Sequence, residues 1–302
     1  MDISDKEPIK TYTRRSRVYV LIAMIVFIIG YYSLISAPIG SNPTTIHISP
    51  KESLHAISND LKDKNIIRSK TLLQLLAELF KSDRQIPWGD YYFNKNSPLF
   101  KVAWDLAHGM HNVNPIKITI REGLTNGEIS DLLSKNIAGF NKEEFDKNAA
   151  AKQGYLFPDT YFFFSLSTTD EIISVLSDNF DKQTAKLRQD VLNSKHSLND
   201  IITMASILEH EASSESDMKI ISGILWKRLS LGMPLQVDAA PITYKILGLP
   251  SEPIANPGLM SISASLYPVD SPYLYYLYDK NGMIHFAKTF QEHKINIAKY
   301  LK

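Results

Sequence analysis

Residues 18–37 read VYVLIAMIVFIIGYYSLISA, twenty residues in succession without a charge. No other feature constrains the chain as tightly, because such a run has to be withdrawn from water along its whole length. At a rise of about 1.5 Å per residue, a helix of this length spans about 30 Å, the thickness of a bilayer's hydrocarbon core. Tyr19, Tyr31 and Tyr32 stand near its ends, where aromatic side chains suit the membrane interface. Lys6, Lys10, Arg14, Arg15 and Arg17 precede the run, and residues 38–50 carry no charge. The positive-inside rule then predicts a cytoplasmic tail at 1–17, a single transmembrane helix at 18–37 and everything after it outside the cytoplasmic membrane. A cleaved signal peptide has a shorter apolar core, and Pro38 directly follows the one small-residue cleavage site, so an uncleaved anchor is expected.

Over the 302 residues, hydrophobic content is 44% and charged content 22%, which suits one large or two modest domains. A net charge of +1 creates no field that favours nucleic acid, and none is expected as a partner. The absence of cysteine excludes disulfides, thiolate metal sites and cysteine nucleophiles. No zinc spacing or phosphate-binding glycine loop occurs, so neither a metal nor a cofactor is expected.

Residues 45–135 read as a small α/β module. Helical spacing covers 53–64 and 69–80, with Ser69 as N-cap and Leu73, Leu75, Leu76, Leu79 and Phe80 as a stripe. A turn leads into a strand at 88–93, a short helix follows at 99–107, and 116–120 alternates as a strand. A helix with the capping box Thr125-x-x-Glu128 closes the module. Its residue types suit binding or spacing rather than chemistry. The stretch 136–302 has a different character. GYLFPDTY at 154–161 is an aromatic turn, and a polar-faced helix is predicted over 168–188. Asn199 or Asp200 is expected to cap a helix through Ile201, Met204, Ala205 and Leu208. Ser214-x-x-Asp217 opens another, which ends near Leu231 with Gly232 as its stop. A proline-braced loop at 249–258 precedes a hairpin of 273–278 and 283–286, turned on Asn281-Gly282.

The strongest chemical feature is SILEHEA at 206–212. With about 100° per residue, Ile201, Met204, Ala205, Leu208 and Ala212 share one helix face. Glu209 and Glu211 lie on its opposite shoulders, and His210 points away. The two glutamates therefore do not face one cleft as a two-carboxylate glycosidase pair. Either can border an apolar cleft and serve as a general acid, or be a solvated helix end, and helix geometry alone does not choose. His210 with a neighbouring glutamate is a poor metal site, because adjacent helical residues do not converge. Gln236, Asp238, Asn256 and Asp159 are further polar candidates for such a cleft. Tyr155, Tyr161, Tyr244, Tyr273, Tyr275 and Tyr276 are candidates for stacking on sugar rings or for ordinary strand packing.

Five blocks, taken in order, resemble the MltG/YceG-like endolytic transglycosylases: GYLFPDTY at 154–161, MASILEHE at 204–211, LGMPLQVD at 231–238, GLPSEPIANPG at 248–258, and PYLYY at 272–276 followed by His285-Phe286. The resemblance covers nearly the whole chain beyond the apolar run. It implies an α+β catalytic domain preceded by a LysM-like module, set outside the bacterial inner membrane. It also implies non-hydrolytic cleavage of the MurNAc–GlcNAc bond of peptidoglycan strands, leaving 1,6-anhydroMurNAc ends and ending strand elongation, in company with peptidoglycan synthases. By the family motif the catalytic acid is the second glutamate, Glu211, with Glu209 in a supporting role. Gln236, Asp238, Asn256, Tyr155 and Asp159 are then expected to orient the glutamate or bind substrate. Two departures stand out. The segment after Asp238 is shorter than is usual in the family, and Tyr267-Pro268 stands where the family often has His-Pro. Two rival readings follow, a peptidoglycan-binding scaffold of weakened turnover and a muramidase that adds water.

Overall fold

Alternation in TTIHI buries Ile46 and Ile48 on one face of a short strand, and this strand belongs to the first of two compact units, 1–114 and 115–302. The computed structural model describes residues 14–38, 40–80 and 86–301; the side chains of Arg14, Arg15, Ile29 and residues 33–35 also lie outside the description. The expected cytoplasmic tail falls mostly outside the described residues.

The first unit carries helix α1 (Arg14–Ile35), strand β1 (Thr44–Ile48), helices α2 (Leu54–Asp63) and α3 (Lys70–Leu79), strand β2 (Gly89–Phe93) and helix α4 (Leu99–Ala107). Val18, Val20, Leu21, Met24 and Phe27 of α1 are exposed. Among the described residues, no helix is long and apolar enough to cross a membrane. The expected span of 18–37 includes positions whose side chains are not described. Strands β1 and β2 pair antiparallel with Ile46 opposite Tyr91. The helices cover this ribbon through Ile57, Leu61, Leu73, Val102 and Leu106, all buried in one core. Ser53 and Ser69 cap α2 and α3 by accepting from the N–H groups of Ala56 and Leu72.

The second unit contains β3 (Ile116–Thr119), α5 (Asn126–Asn136), α6 (Lys142–Ala149), β4 (Thr160–Phe163), α7 (Thr169–Thr184), α8 (Arg188–Asn193), α9 (Leu198–Glu211), α10 (Glu215–Ser230), α11 (Leu259–Leu266), β5 (Tyr275–Tyr278), β6 (Ile284–Ala287) and α12 (Phe290–Tyr300). The division between the compact units falls at 114/115, and β3 pairs antiparallel with β4 inside the second, with Ile118 opposite Tyr161. The aromatic block at 154–161 thus ends in a strand rather than a turn alone. The hairpin is as the Asn-Gly signal predicts: β5 pairs with β6, Leu277 faces His285, and Gly282 turns at φ +77°.

Helix α9 is the axis of this unit, and it is not amphipathic. All residues from Ile201 to Leu208 are buried, Ile202, Thr203, Ser206 and Ile207 included. One side packs on Met218, Ile221 and Leu225 of α10, and the other on Phe157, Phe180 and Ile262. A helix surrounded by apolar neighbours needs no polar face. Its N-cap is Ser197, not Asn199 or Asp200. The Ser197 hydroxyl accepts from the Asp200 N–H while the Asp200 carboxylate accepts from the Ser197 N–H, a capping box that begins ahead of both expected caps.

Candidate functional site

The two glutamates leave the end of α9 in different directions. Glu209 Oε2 accepts the Gly258 N–H at 2.8 Å and the Ser261 hydroxyl at 2.6 Å, so this carboxylate sits on the first turn of α11. An anion is favoured there by the unpaired N–H groups and the helix dipole. A Cβ at Gly258 would come within 1.8 Å of Glu122 Oε1, so a larger residue there would displace the Glu122 side chain. Glu122 is exposed as a residue, yet partial desolvation of its carboxyl, and then the charge of Glu209, raise its pKa. His210 is exposed, as its place on the helix predicts.

Glu211 instead lines a cleft of about 470 Å³, walled by α10, the 236–238 segment, the β5–β6 hairpin and α12. Glu211 Oε2 accepts a 2.7 Å hydrogen bond from the Tyr276 hydroxyl. Burial chiefly, and then the Glu211 charge, push the Tyr276 pKa well up, so the phenol stays protonated as a donor. Beside this pair, the Tyr244 hydroxyl donates to Asp238 Oδ1 at 2.7 Å, and that bond is the first cause of a raised Tyr244 pKa. Arg228 Nη2 donates to Gln236 Oε1 at 2.8 Å. Gln236 itself holds φ at +50°, a left-handed conformation that non-glycine residues seldom adopt and that clusters at functional sites.

Of the residues expected in the site, Glu211, Gln236 and Asp238 line this cleft together, with Tyr244, Tyr275 and Tyr276 from the group of stacking candidates. Four others do not. Asn256 is fully buried, and its Oδ1 accepts the N–H groups of Gly154 and Leu156 while its Nδ2 donates to Leu124 O and Asn126 Oδ1. Nothing of this amide is left for a substrate. Tyr155 packs on Phe180 and donates to Asn199 Oδ1 at the opposite end of α9 from Glu211. Asp159 accepts its own neighbour's N–H at Thr160 and the amide of Asn179. Glu209 holds α11. Tyr161 is likewise a core residue, its hydroxyl bound to Phe157 O and its pKa pushed up to about 12 by burial.

Sequence reasoning did not find Arg228 or His293. Arg228 lies on α10, whose charges resemble those of any solvated helix end, and only the fold turns it inward to 5% exposure. His293 belongs to α12, which the sequence reading leaves unassigned. Among the described residues no cluster of metal-ligating side chains occurs.

The profile of the YceG-like family matches residues 46–242 and 242–299, its two stretches meeting inside the shortened segment after Asp238. An endolytic murein transglycosylase of Bacillus subtilis (strain 168) is 28% identical over 305 residues, which cover 85% of this chain and 84% of that protein. Another, from Streptococcus pneumoniae serotype 2, is 22% identical over 341 residues, covering 90% of this chain but 62% of the longer relative. A crystal structure of a yceG-like protein from Listeria monocytogenes matches at a TM-score of 0.55 and 28% identity, over 85% of this chain and 99% of that one. With a mixed α+β architecture and a profile match running from β1 to α12, the chain belongs to the YceG-like family.

Proposed function

We propose that the chain is an endolytic peptidoglycan transglycosylase in which Glu211 serves as both acid and base. One observation carries the reading: Glu211 ends α9 inside the cleft with Oε2 held by Tyr276, and its other oxygen accepts no hydrogen bond among the described residues. Protonated Glu211 donates to the glycosidic oxygen between MurNAc and GlcNAc as the bond from C1 breaks. The resulting carboxylate takes the proton of the MurNAc C6 hydroxyl while that oxygen closes on C1. The proton given is regained, no water is consumed, and the product is a 1,6-anhydro ring. Gln236 and Asp238, each fixed by a hydrogen bond to a neighbour, are placed to orient the sugar. Tyr155, Asp159, Asn256 and Glu209 act through the fold rather than on substrate. The test is digestion of purified cell-wall sacculi with mass spectrometry of the products. A hydrolytic reading draws support from Asp238, a second carboxylate in the same cleft, and its products would be heavier by one water.

The reading extends to the first unit. The order β1, α2, α3, β2 with its own core suits a LysM-like glycan-binding module, and no group in it is needed for the chemistry. The exposed apolar side chains of the 22-residue α1, preceded by basic residues, support a membrane anchor with the catalytic unit outside and within reach of peptidoglycan synthases. A reporter active only outside the cytoplasm, fused after Lys302, tests this topology; an inactive fusion in intact cells contradicts it.

A further inference from the structure

Three residues that line the Glu211 cleft each carry a buried polar atom with no hydrogen-bond partner among the described residues: Arg228 Nε, Tyr278 Oη and His293 Nδ1. Buried polar groups are nearly always hydrogen-bonded, so three orphans in one cleft call for an explanation. Arg228 is the costliest. Its guanidinium offers five N–H donors, and among the described residues it makes one side-chain hydrogen bond, to Gln236. Its Cζ stands 5.6 Å from the centre of the Tyr275 ring, a contact that offsets part of its lost hydration. The groups that bear on it are the side chains of Tyr275, Tyr276 and Tyr244, and among the described residues no carboxylate forms an ion pair with it. A buried cation without an anion is strongly disfavoured unless a ligand supplies one.

We infer that Arg228, with Tyr278 and His293, forms a subsite for a carboxylate carried by the stem peptide of the glycan strand. This rests on the peptidoglycan reading of the cleft. The amino sugars of such a strand are neutral, whereas the peptides attached to its lactyl groups end or branch in carboxylates. Such a group presents two oxygens and about four lone-pair sites, enough to accept from a guanidinium and from further donors at once. Burial, and then the positive charge of Arg228, lower the His293 pKa, so the ring is neutral and adds a hydrogen-bonding group without a second charge. Asp238 repels an anion from its part of the cleft, which confines the carboxylate to the guanidinium. The subsite therefore fixes where along the strand, relative to a stem peptide, Glu211 meets the glycosidic oxygen.

The experiment is calorimetric binding of a stem-bearing tetrasaccharide to the full chain, with the peptide carboxylates free in one sample and converted to amides in the other. The free-acid form should bind about tenfold more tightly, as a charge-assisted bidentate contact provides. Arg228→Met should weaken the acid form to parity with the amide. Arg228→Lys, which keeps the charge but loses the fork, should keep part of the preference and guards against a folding defect in the first variant. Equal binding of the two forms by the native chain overturns the subsite, as does an Arg228→Met protein that is folded and still prefers the acid. If neither form binds while sacculi are cleaved, the subsite fails and the enzymatic reading stands. If sacculi are not cleaved either, that reading fails first.

Discussion

The Tyr276 hydroxyl donates to Glu211 Oε2 across 2.7 Å, joining the last residue of α9 to the strand β5 that follows it by 65 positions. This contact orients one carboxylate oxygen and leaves the other without a hydrogen bond among the described residues. Tyr276→Phe removes the donor and keeps the ring. A hydrogen bond to a charged group contributes roughly 1.5–3 kcal/mol, so kcat should fall about tenfold to a hundredfold. KM should hardly move, because the hydroxyl does not contact substrate in this account. Steady-state kinetics on soluble glycan strands checks the split, and a change confined to KM counts against it.

Glu209 and Glu211 separate a positioning role from a chemical one. Glu209→Gln still offers an oxygen to Gly258 and Ser261 but gives up the charge at the start of α11, which costs about 1 kcal/mol of stability. Its activity should remain within about tenfold of native, far above that of Glu211→Gln. His210→Ala should change activity least, since that side chain is exposed. Equal losses in the two glutamine variants would mean that the acid is misassigned.

Asn256→Ala should damage folding rather than chemistry. It strips partners from the buried N–H groups of Gly154 and Leu156 and from Asn126 Oδ1. At about 1–3 kcal/mol for each buried group left unpaired, a loss of about 3 kcal/mol or more is expected in equilibrium denaturation. A variant of native stability would put Asn256 back among the candidates for substrate contact.

Glu122 gives a pH dependence. Partial desolvation of its carboxyl and the Glu209 charge raise its pKa, so the folded chain holds this proton more tightly than the unfolded chain does. Its contribution to stability is present in acid, below the unfolded carboxylate range of about 4.3, and is lost as pH rises through the raised value. Glu122→Gln cannot ionise. It should melt higher than the native protein near about pH 7 and lose that advantage near about pH 4. A difference that stays flat over this interval contradicts the assigned interaction.

What the sequence disclosed depends on the range of the interactions involved. The caps at Ser69, Thr125 and Ser214 and the turn at Gly282 are local, since a side chain or a backbone angle acts within four residues, and each is found where its pattern places it. Glu211, Gln236 and Asp238 were nameable because their blocks recur in a recognisable order. Asn256 was not legible as a structural clamp, because its partners Gly154 and Leu124 lie 102 and 132 positions away. Helix α9 suggested one apolar face because Thr203 and Ser206 look polar, yet both are buried, and Ser206 bonds to Thr203 O and to the Ile254 N–H. Helix α12 went unread because none of its residues is buried; it presents Phe290, His293 and Ile297 to the cleft rather than to a core. Arg228 was hidden for the complementary reason, a charge on a helix that only tertiary packing turns inward.

The account rests most heavily on one carboxyl group performing both proton transfers. Purified sacculi digested with the native chain and with Glu211→Gln, followed by mass spectrometry of the released fragments, test it most directly. The native chain should release fragments ending in 1,6-anhydroMurNAc, with turnover in the folded Glu211→Gln protein lower by more than the roughly 10²–10⁴ of a single proton-transfer step. Anhydro ends produced at near-native rate by Glu211→Gln, or native products that carry an added water in their place, would contradict it.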